Sequence, residues 1–287
     1  MKVPRTLLTL LMLFSLISLP CAVAAQGTAP AGTTSKDTAA DRAALAQKEL
    51  ERLYGTASCP LQKTDPGFVA TRDRLLYGQI QQKGVLTSEQ RLLVTLATLT
   101  SLSADVTDTA KACLRTGVEP VRIKEAVYQV TPYVGYPKAS QALASVNTVL
   151  EEAGIRLPLE EQSTVTEDNR FQKGFEVQSS IFGSGIAAMH KNAPEGQKDI
   201  IVDYLSSWCF GDTYTRKGLD LKMRELLTFA AISALGGCES QVKSHVQGNL
   251  NVGNSKQMLI DTLAQMLPYI GFPRTLNALA CVNAVTR

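Results

Sequence analysis

An all-α fold of two tandem helical modules, packed together as a pseudo-dimer, is predicted by three features of the sequence. The hexapeptide Pro132-Tyr133-Val134-Gly135-Tyr136-Pro137 returns as Pro268-Tyr269-Ile270-Gly271-Phe272-Pro273. Leu76-Tyr77-Gly78 with Arg91 is matched, at the same spacing, by Cys209-Phe210-Gly211 with Arg224. Apolar residues recur with a helical period in both copies: Leu92, Leu93, Leu96, Leu99 and Leu102, then Leu226, Leu227, Ala230, Ala231 and Ala234. Gly55 and Gly183, Gly117 and Gly253, and Asn147 and Asn283 extend the correspondence. No alternating strand pattern or hairpin signal accompanies them. Residues kept in both copies read as scaffold, and polar residues found in one copy only read as candidates for chemistry.

Residues 1–25 read as a cleavable secretion signal. Lys2 and Arg5 form its basic start, Leu7 to Leu19 its apolar core, and Ala22-Val23-Ala24 a small-residue cleavage site. The apolar run is shorter than the roughly 20 residues that span a bilayer, so no stable membrane insertion is expected. Export to the periplasm or the medium follows from this reading. Residues 26–38, rich in Gly, Ala, Pro, Ser and Thr, read as a flexible linker.

The first module is expected over residues 39–154 and the second over 166–287. Between them, Pro158 and a run of acids interrupt the helical pattern. Thr87 with Gln90 is a capping-box pattern opening the leucine-rich helix of the first module. Asp220 can cap its counterpart by accepting a hydrogen bond from an orphan amide. Pro137 and Pro273 suit the first turn of a helix, where no amide hydrogen is needed. Gly117 and Gly253 suit left-handed helix ends, followed by Pro120 and by Asn254-Ser255.

The formal net charge of the whole chain is +3, and loss of Lys2 and Arg5 with the leader leaves +1. No basic face remains to attract phosphates, so nucleic acid is not an expected partner. Cys59, Cys113, Cys209, Cys238 and Cys281 survive processing, an odd number, so at least one thiol is free or bonded between chains. No two lie at a zinc-ligand spacing and the chain has only two histidines, so no metal site is expected.

Only the second copy carries a reactive cluster. Cys238, Glu239, Gln241 and His245 fall within about two helical turns, whereas Leu102 to Ala112 of the first copy holds neither thiol nor imidazole. Cys238, Gln241 and His245 stand at i, i+3 and i+7, on one side of a helix. A thiol at a helix start meets the positive end of the dipole, and an imidazole exchanges protons near neutral pH. Glu239 lies about a quarter turn away, and Glu225 can approach from the preceding helix. Each also has a plain structural reading: Cys238 as a small apolar filler, His245 as a core residue, Glu239 as a helix cap. Arg91 and Arg224, present in both copies, read as members of buried ion pairs, and the hexapeptide aromatics read as packing residues.

Taken together, Phe210-Gly211-Asp212-Thr213-Tyr214-Thr215-Arg216, Gly218-Leu219-Asp220, Arg224-Glu225-Leu226, Cys238-Glu239-Ser240-Gln241, His245, Gly248-Asn249-Leu250-Asn251-Val252-Gly253 and the Pro268–Pro273 hexapeptide resemble the carboxymuconolactone decarboxylase family. The resemblance covers nearly all of the second copy and, more faintly, Tyr54 to Leu150 of the first. It implies all-helical units that assemble as homo-oligomers. It also implies one of two activities: cofactor-free decarboxylation of a lactone acid, or peroxide reduction of the alkylhydroperoxidase D kind through a Cys-x-x-Cys-x-x-x-His motif. Cys238 and His245 match that motif's first cysteine and its histidine; Gln241 stands where the second cysteine would be. A resolving thiol is therefore missing unless Cys209 or an external thiol serves. The expectation is a carboxy-lyase-type enzyme without cofactor, acting on a small lactone or organic acid. His245 is its acid/base, Glu225 or Glu239 orients it, Cys238 and Gln241 line the pocket, and Arg216 or Arg224 holds a substrate carboxylate. The alternatives are a peroxiredoxin-type thiol peroxidase using Cys238 and a non-enzymatic binding or assembly module.

Overall fold

The computed structural model describes residues 39–55 and 59–286, all within one compact unit. The leader and linker read at residues 1–25 and 26–38 lie outside the described residues. The first module comprises α1 (Ala39–Tyr54), α2 (Leu61–Thr64), α3 (Pro66–Leu75), α4 (Ser88–Ser101), α5 (Thr107–Arg115), α6 (Pro120–Val134) and α7 (Tyr136–Glu152). A π-helical turn, Leu76–Ile80, continues α3. The second module comprises α8 (Arg170–Phe182), α9 (Gly185–Asn192), a long π-helical segment Asp199–Tyr214, α10 (Leu221–Leu235), α11 (Glu239–Asn251) and α12 (Lys256–Val285). Among the described residues there is no strand.

The local signals act as the sequence predicts. The Thr87 hydroxyl accepts from the Gln90 amide while the Gln90 side chain accepts from the Thr87 amide, closing a capping box on α4. Asp220 accepts from the Met223 amide at the start of α10, and Ser255 from the Met258 amide at the start of α12. Gly117 and Gly253 take φ of 84° and 92° past the ends of α5 and α11. Gly135 ends α6, whereas its counterpart Gly271, at φ 72°, only kinks α12.

Two glycines fix how each module begins. A Cβ on Gly78 would collide with the Arg42 carbonyl of α1, and one on Gly211 with the Arg170 carbonyl of α8. The bare backbone lets the first helix of each module lie against its π-helical segment, a close approach only glycine allows.

The modules share one core. Leu93, Leu96 and Ala97 of α4, Val127 and Val130 of α6, Leu226, Leu227 and Ala230 of α10 and Leu263 of α12 are all buried in a single cluster. Each large apolar side chain removed from water there contributes about 1.5–3 kcal/mol. Helix α10 packs on α4 and α6, and α12 packs back on α4. This exchange is mirrored in polar contacts. Gln129 of α6 donates to the Thr228 hydroxyl (3.1 Å) and accepts from Arg224 (2.9 Å), both on α10. Gln265 of α12 donates to the Thr95 hydroxyl (3.1 Å) and accepts from Arg91 (3.3 Å), both on α4. Each module thus clamps the other through equivalent residues, as two subunits related by a two-fold axis would.

Candidate active site

Glu225 of α10 and His245 of α11 meet at the centre of the second module. Val242, His245, Val246 and Asn249 form the buried stripe of α11, at the i, i+3, i+4, i+7 spacing of a helix face turned to the core. His245 Nδ1 lies 2.9 Å from Glu225 Oε2. Asn249 ties the two helices by donating to the backbone carbonyls of Glu225 (2.9 Å) and His245 (2.7 Å). Gly248 leaves the space: a Cβ there would press on Glu225 Oε2 and on the Phe182 ring.

A chain of hydrogen bonds converges on the Glu225 carboxylate, which is fully buried. Tyr214 donates its hydroxyl hydrogen to Glu225 Oε1 (2.7 Å). Having one hydrogen only, Tyr214 then accepts at 3.0 Å from Tyr133 and at 2.9 Å from Thr228, which itself accepts from Gln129. Cys209 donates to the Tyr133 hydroxyl at 3.6 Å. With every donor aimed toward Glu225, the bonds polarise one another in one direction. Burial pushes the Tyr133 and Tyr214 hydroxyls well above the usual phenol range and the Cys209 thiol up to about 12, so all three keep their protons at neutral pH. Tyr133 and Phe182 stand edge-on to the His245 ring, with centroids 5.5 and 5.3 Å away. Glu225 therefore holds Nδ1 and two aromatic rings fix the plane, leaving Nε2 as the nitrogen for external chemistry.

The other residues singled out in the sequence lie elsewhere. Cys238 precedes α11 with a non-helical backbone (φ −119°, ψ 34°) and donates to the Gly236 carbonyl at 3.4 Å. Seven residues of helix separate it from His245 by roughly 10 Å along the axis. It lines a small cavity with Gly236, Arg274 and Cys281. Gln241 falls at the edge of the buried stripe, one turn nearer the helix start; it is exposed and accepts from Ser240 at 2.8 Å. Glu239 is exposed and accepts from Asn277 at 3.5 Å. Of the three residues expected on one face, His245 is buried, Cys238 is half-buried just before the first turn of α11, and Gln241 is exposed. Cys209 and Cys238 also sit in different surroundings, and all five described cysteines are free.

Both arginines are bound to Glu125 of α6. Arg224 is fully buried and donates to Glu125 Oε2 (3.1 Å), Gln129 and the carbonyls of Arg216 and Lys217. Burial lowers its guanidinium below the usual range, and Glu125 opposes that shift. Arg216 donates to Glu125 Oε1 (2.9 Å), reaches Glu161 (3.0 Å) and lies over the Tyr128 ring. The structure makes Arg224 part of the framework behind the site, as its presence in both copies suggests.

Sequence reasoning missed Tyr133, Tyr214 and Phe182. Tyr214 had a usable signal, since the corresponding position of the first copy is Gln81. Tyr133 had none, because the first-copy hexapeptide and its repeat both keep the tyrosine.

Among known proteins, the model of the carboxymuconolactone decarboxylase family matches residues 66–147 and 201–284, together more than half of the chain. A 15.0 kDa uncharacterized protein of Paracoccus denitrificans is 37% identical over 99 residues, 34% of this chain and 70% of the relative. The 4-carboxymuconolactone decarboxylase of Acinetobacter baylyi is 25% identical over 122 residues, 42% of this chain and 90% of that enzyme. The crystal structure of a putative gamma-carboxymuconolactone decarboxylase subunit from Burkholderia xenovorans matches with a TM-score of 0.51 and 21% identity, covering 84% of this chain and 96% of that one. That last likeness speaks for the fold alone. With its modules matched one after the other by the family model, the chain belongs to the carboxymuconolactone decarboxylase family.

Proposed function

We propose that the chain is an exported, cofactor-free enzyme whose His245 acts as general acid/base on a small lactone or organic acid bearing a carboxylate. The observation that carries this reading is the buried Glu225–His245 pair at 2.9 Å, backed by Tyr214 and Tyr133. A carboxylate fixed on Nδ1 sets the tautomer and leaves Nε2 to give or take a proton. In decarboxylation, the bond to the carboxylate carbon breaks, carbon dioxide leaves, and the electron pair moves into an enolate. The His245 imidazolium then protonates the carbon and regains its proton from water. The name of the Acinetobacter relative, 4-carboxymuconolactone decarboxylase, and the leader read at residues 1–25 support substrate class and export respectively.

The test is carbon dioxide release from 4-carboxymuconolactone and related lactone acids, in the parent protein and in His245→Ala and Glu225→Gln. Loss of a positioned acid/base group lowers turnover by about 10²–10⁴-fold. Turnover unchanged in His245→Ala removes the assigned role; no release from any lactone acid removes the substrate class.

A further inference from the structure

The Gly236-Gly237-Cys238 motif plays no part in the Glu225–His245 arrangement, yet it borders a small cavity of its own. That cavity lies between the start of α11 and the second half of α12 and is lined by Ser233, Gly236, Cys238, Arg274, Asn277 and Cys281. Two thiols therefore face one space. Cys238 donates to the Gly236 carbonyl at 3.4 Å, and Cys281 donates to the Glu239 carbonyl at 3.6 Å, so both sulfurs are held by the same four-residue segment. Cys238 is partly exposed, whereas Cys281 is 3% exposed.

Further observations fit thiol chemistry. Cys238 sits at the amide end of α11 with no side-chain cap, and Arg274 lies against Gly236. A thiolate is the attacking species in disulfide exchange. The Ser233 hydroxyl, 2% exposed and on the cavity wall, has no hydrogen-bond partner, so the cavity holds an unused donor. Gly236 and Gly237, at φ 73° and 69°, give the segment backbone freedom next to Cys238. Burial pushes the Cys281 thiol up and Lys243 opposes that shift, so Cys281 waits as the protonated partner.

We propose that Cys238 and Cys281 are a redox-active dithiol that closes to a disulfide by exchange with a small-molecule disulfide. The Cys238 thiolate attacks one sulfur of the small disulfide, forming a mixed disulfide and releasing one thiolate, which takes up a proton. Cys281 then loses its proton and attacks the Cys238 sulfur, expelling the second small thiol. Two protein thiols are oxidised and one small disulfide is reduced to two thiols. The bond ties the start of the helix that carries His245 to α12. The first module offers an internal contrast, with Ser145 at the place of Cys281 and no cysteine opening α5. This inference stands apart from the acid/base reading.

Folded protein is incubated with oxidised glutathione, quenched in acid, alkylated and mapped by mass without reduction. The expected product is a peptide pair joined through Cys238 and Cys281, with Cys113 and Cys209 recovered alkylated. Cys281→Ser is expected to stop at the Cys238–glutathione adduct, and Cys238→Ser to leave Cys281 unmodified. Circular dichroism checks that each variant is folded; if Cys281→Ser is not, the cross-link map of the parent protein decides alone. A persistent Cys238–glutathione adduct in the parent protein, pairing of Cys238 with another cysteine, or an unreacted Cys238 overturns the proposal.

Discussion

The two halves of the molecule share a frame and differ in what they bury at its centre. In the second, Phe182 and Phe210 meet edge-to-face at 5.9 Å beside the Glu225–His245 pair. In the first, Tyr54 and Tyr77 meet in the same way at 6.0 Å, with Tyr269 beside Tyr54 and Thr95. Leu92 stands at the position of Glu225, Thr109 at that of His245 and Gln81 at that of Tyr214. The same frame thus holds an ionisable pair on one side and neutral phenols on the other. Burial raises the Tyr54, Tyr77 and Tyr269 hydroxyls above their usual range, so these three keep their protons at neutral pH. Fold stability needs either filling; the acid/base chemistry proposed above uses only the second.

This comparison is broken or sharpened by paired substitutions. The largest contrast is expected in turnover. His245→Ala is to lose about 10²–10⁴-fold in carbon dioxide release, while Thr109→Ala changes it little; equal losses would mean that both halves work. Next come the ion clamps, read by urea denaturation. Glu125→Ala strands fully buried Arg224 and is expected to cost about 3–5 kcal/mol. Asp261→Ala removes an acceptor of the Val85 amide and of Gln257, at about 1–3 kcal/mol.

Gly248→Ala, which installs the residue the first half has at Ala112, forces a methyl onto Glu225 and Phe182. Overpacking of this kind costs about 1–3 kcal/mol, and turnover is expected to fall with it. Ala112→Gly is to cost about 1–2 kcal/mol, from helix propensity and one lost buried methyl, and to spare turnover.

The smallest effect per step is alkaline. Cys113 and Cys209, one in each half, are both pushed by burial from 9.0 to about 12. Between those values the unfolded chain has lost protons that the folded chain keeps, so stability is full below pH 9 and falls as pH rises. Each thiol contributes a slope of about 1.4 kcal/mol per pH unit. Cys209→Ser is expected to flatten the slope measured by urea denaturation at pH 9–11; an unchanged slope would assign it to other groups.

How much was legible before the structure follows from where each signal resides. The Thr87–Gln90 box, the Asp220 cap and the Gly117 and Gly253 helix ends involve residues close in sequence, and they read correctly. Glu225 and His245 were found because the halves differ there. Tyr133 was missed for the converse reason. Comparing copies treats a shared residue as scaffold, but packing gives the two tyrosines different neighbours: Tyr133 meets Tyr214 and Cys209, whereas Tyr269 meets Tyr54. The spacing put Gln241 on the face of His245, yet its side chain is exposed, because periodicity gives direction and not the width of the buried stripe.

The sequence by itself determined the helices, their caps, the repeat and the half that carries an imidazole, since these depend on short-range sterics and on side-chain period. Only the tertiary structure decided that α6 of one half supplies Gln129 and Tyr133 to the other, from 99 and 81 positions away. It also decided that Cys238 shares a cavity with Cys281. Burying the apolar faces of both halves in one core forces that exchange of helices, and no local pattern records which distant side chain such packing delivers.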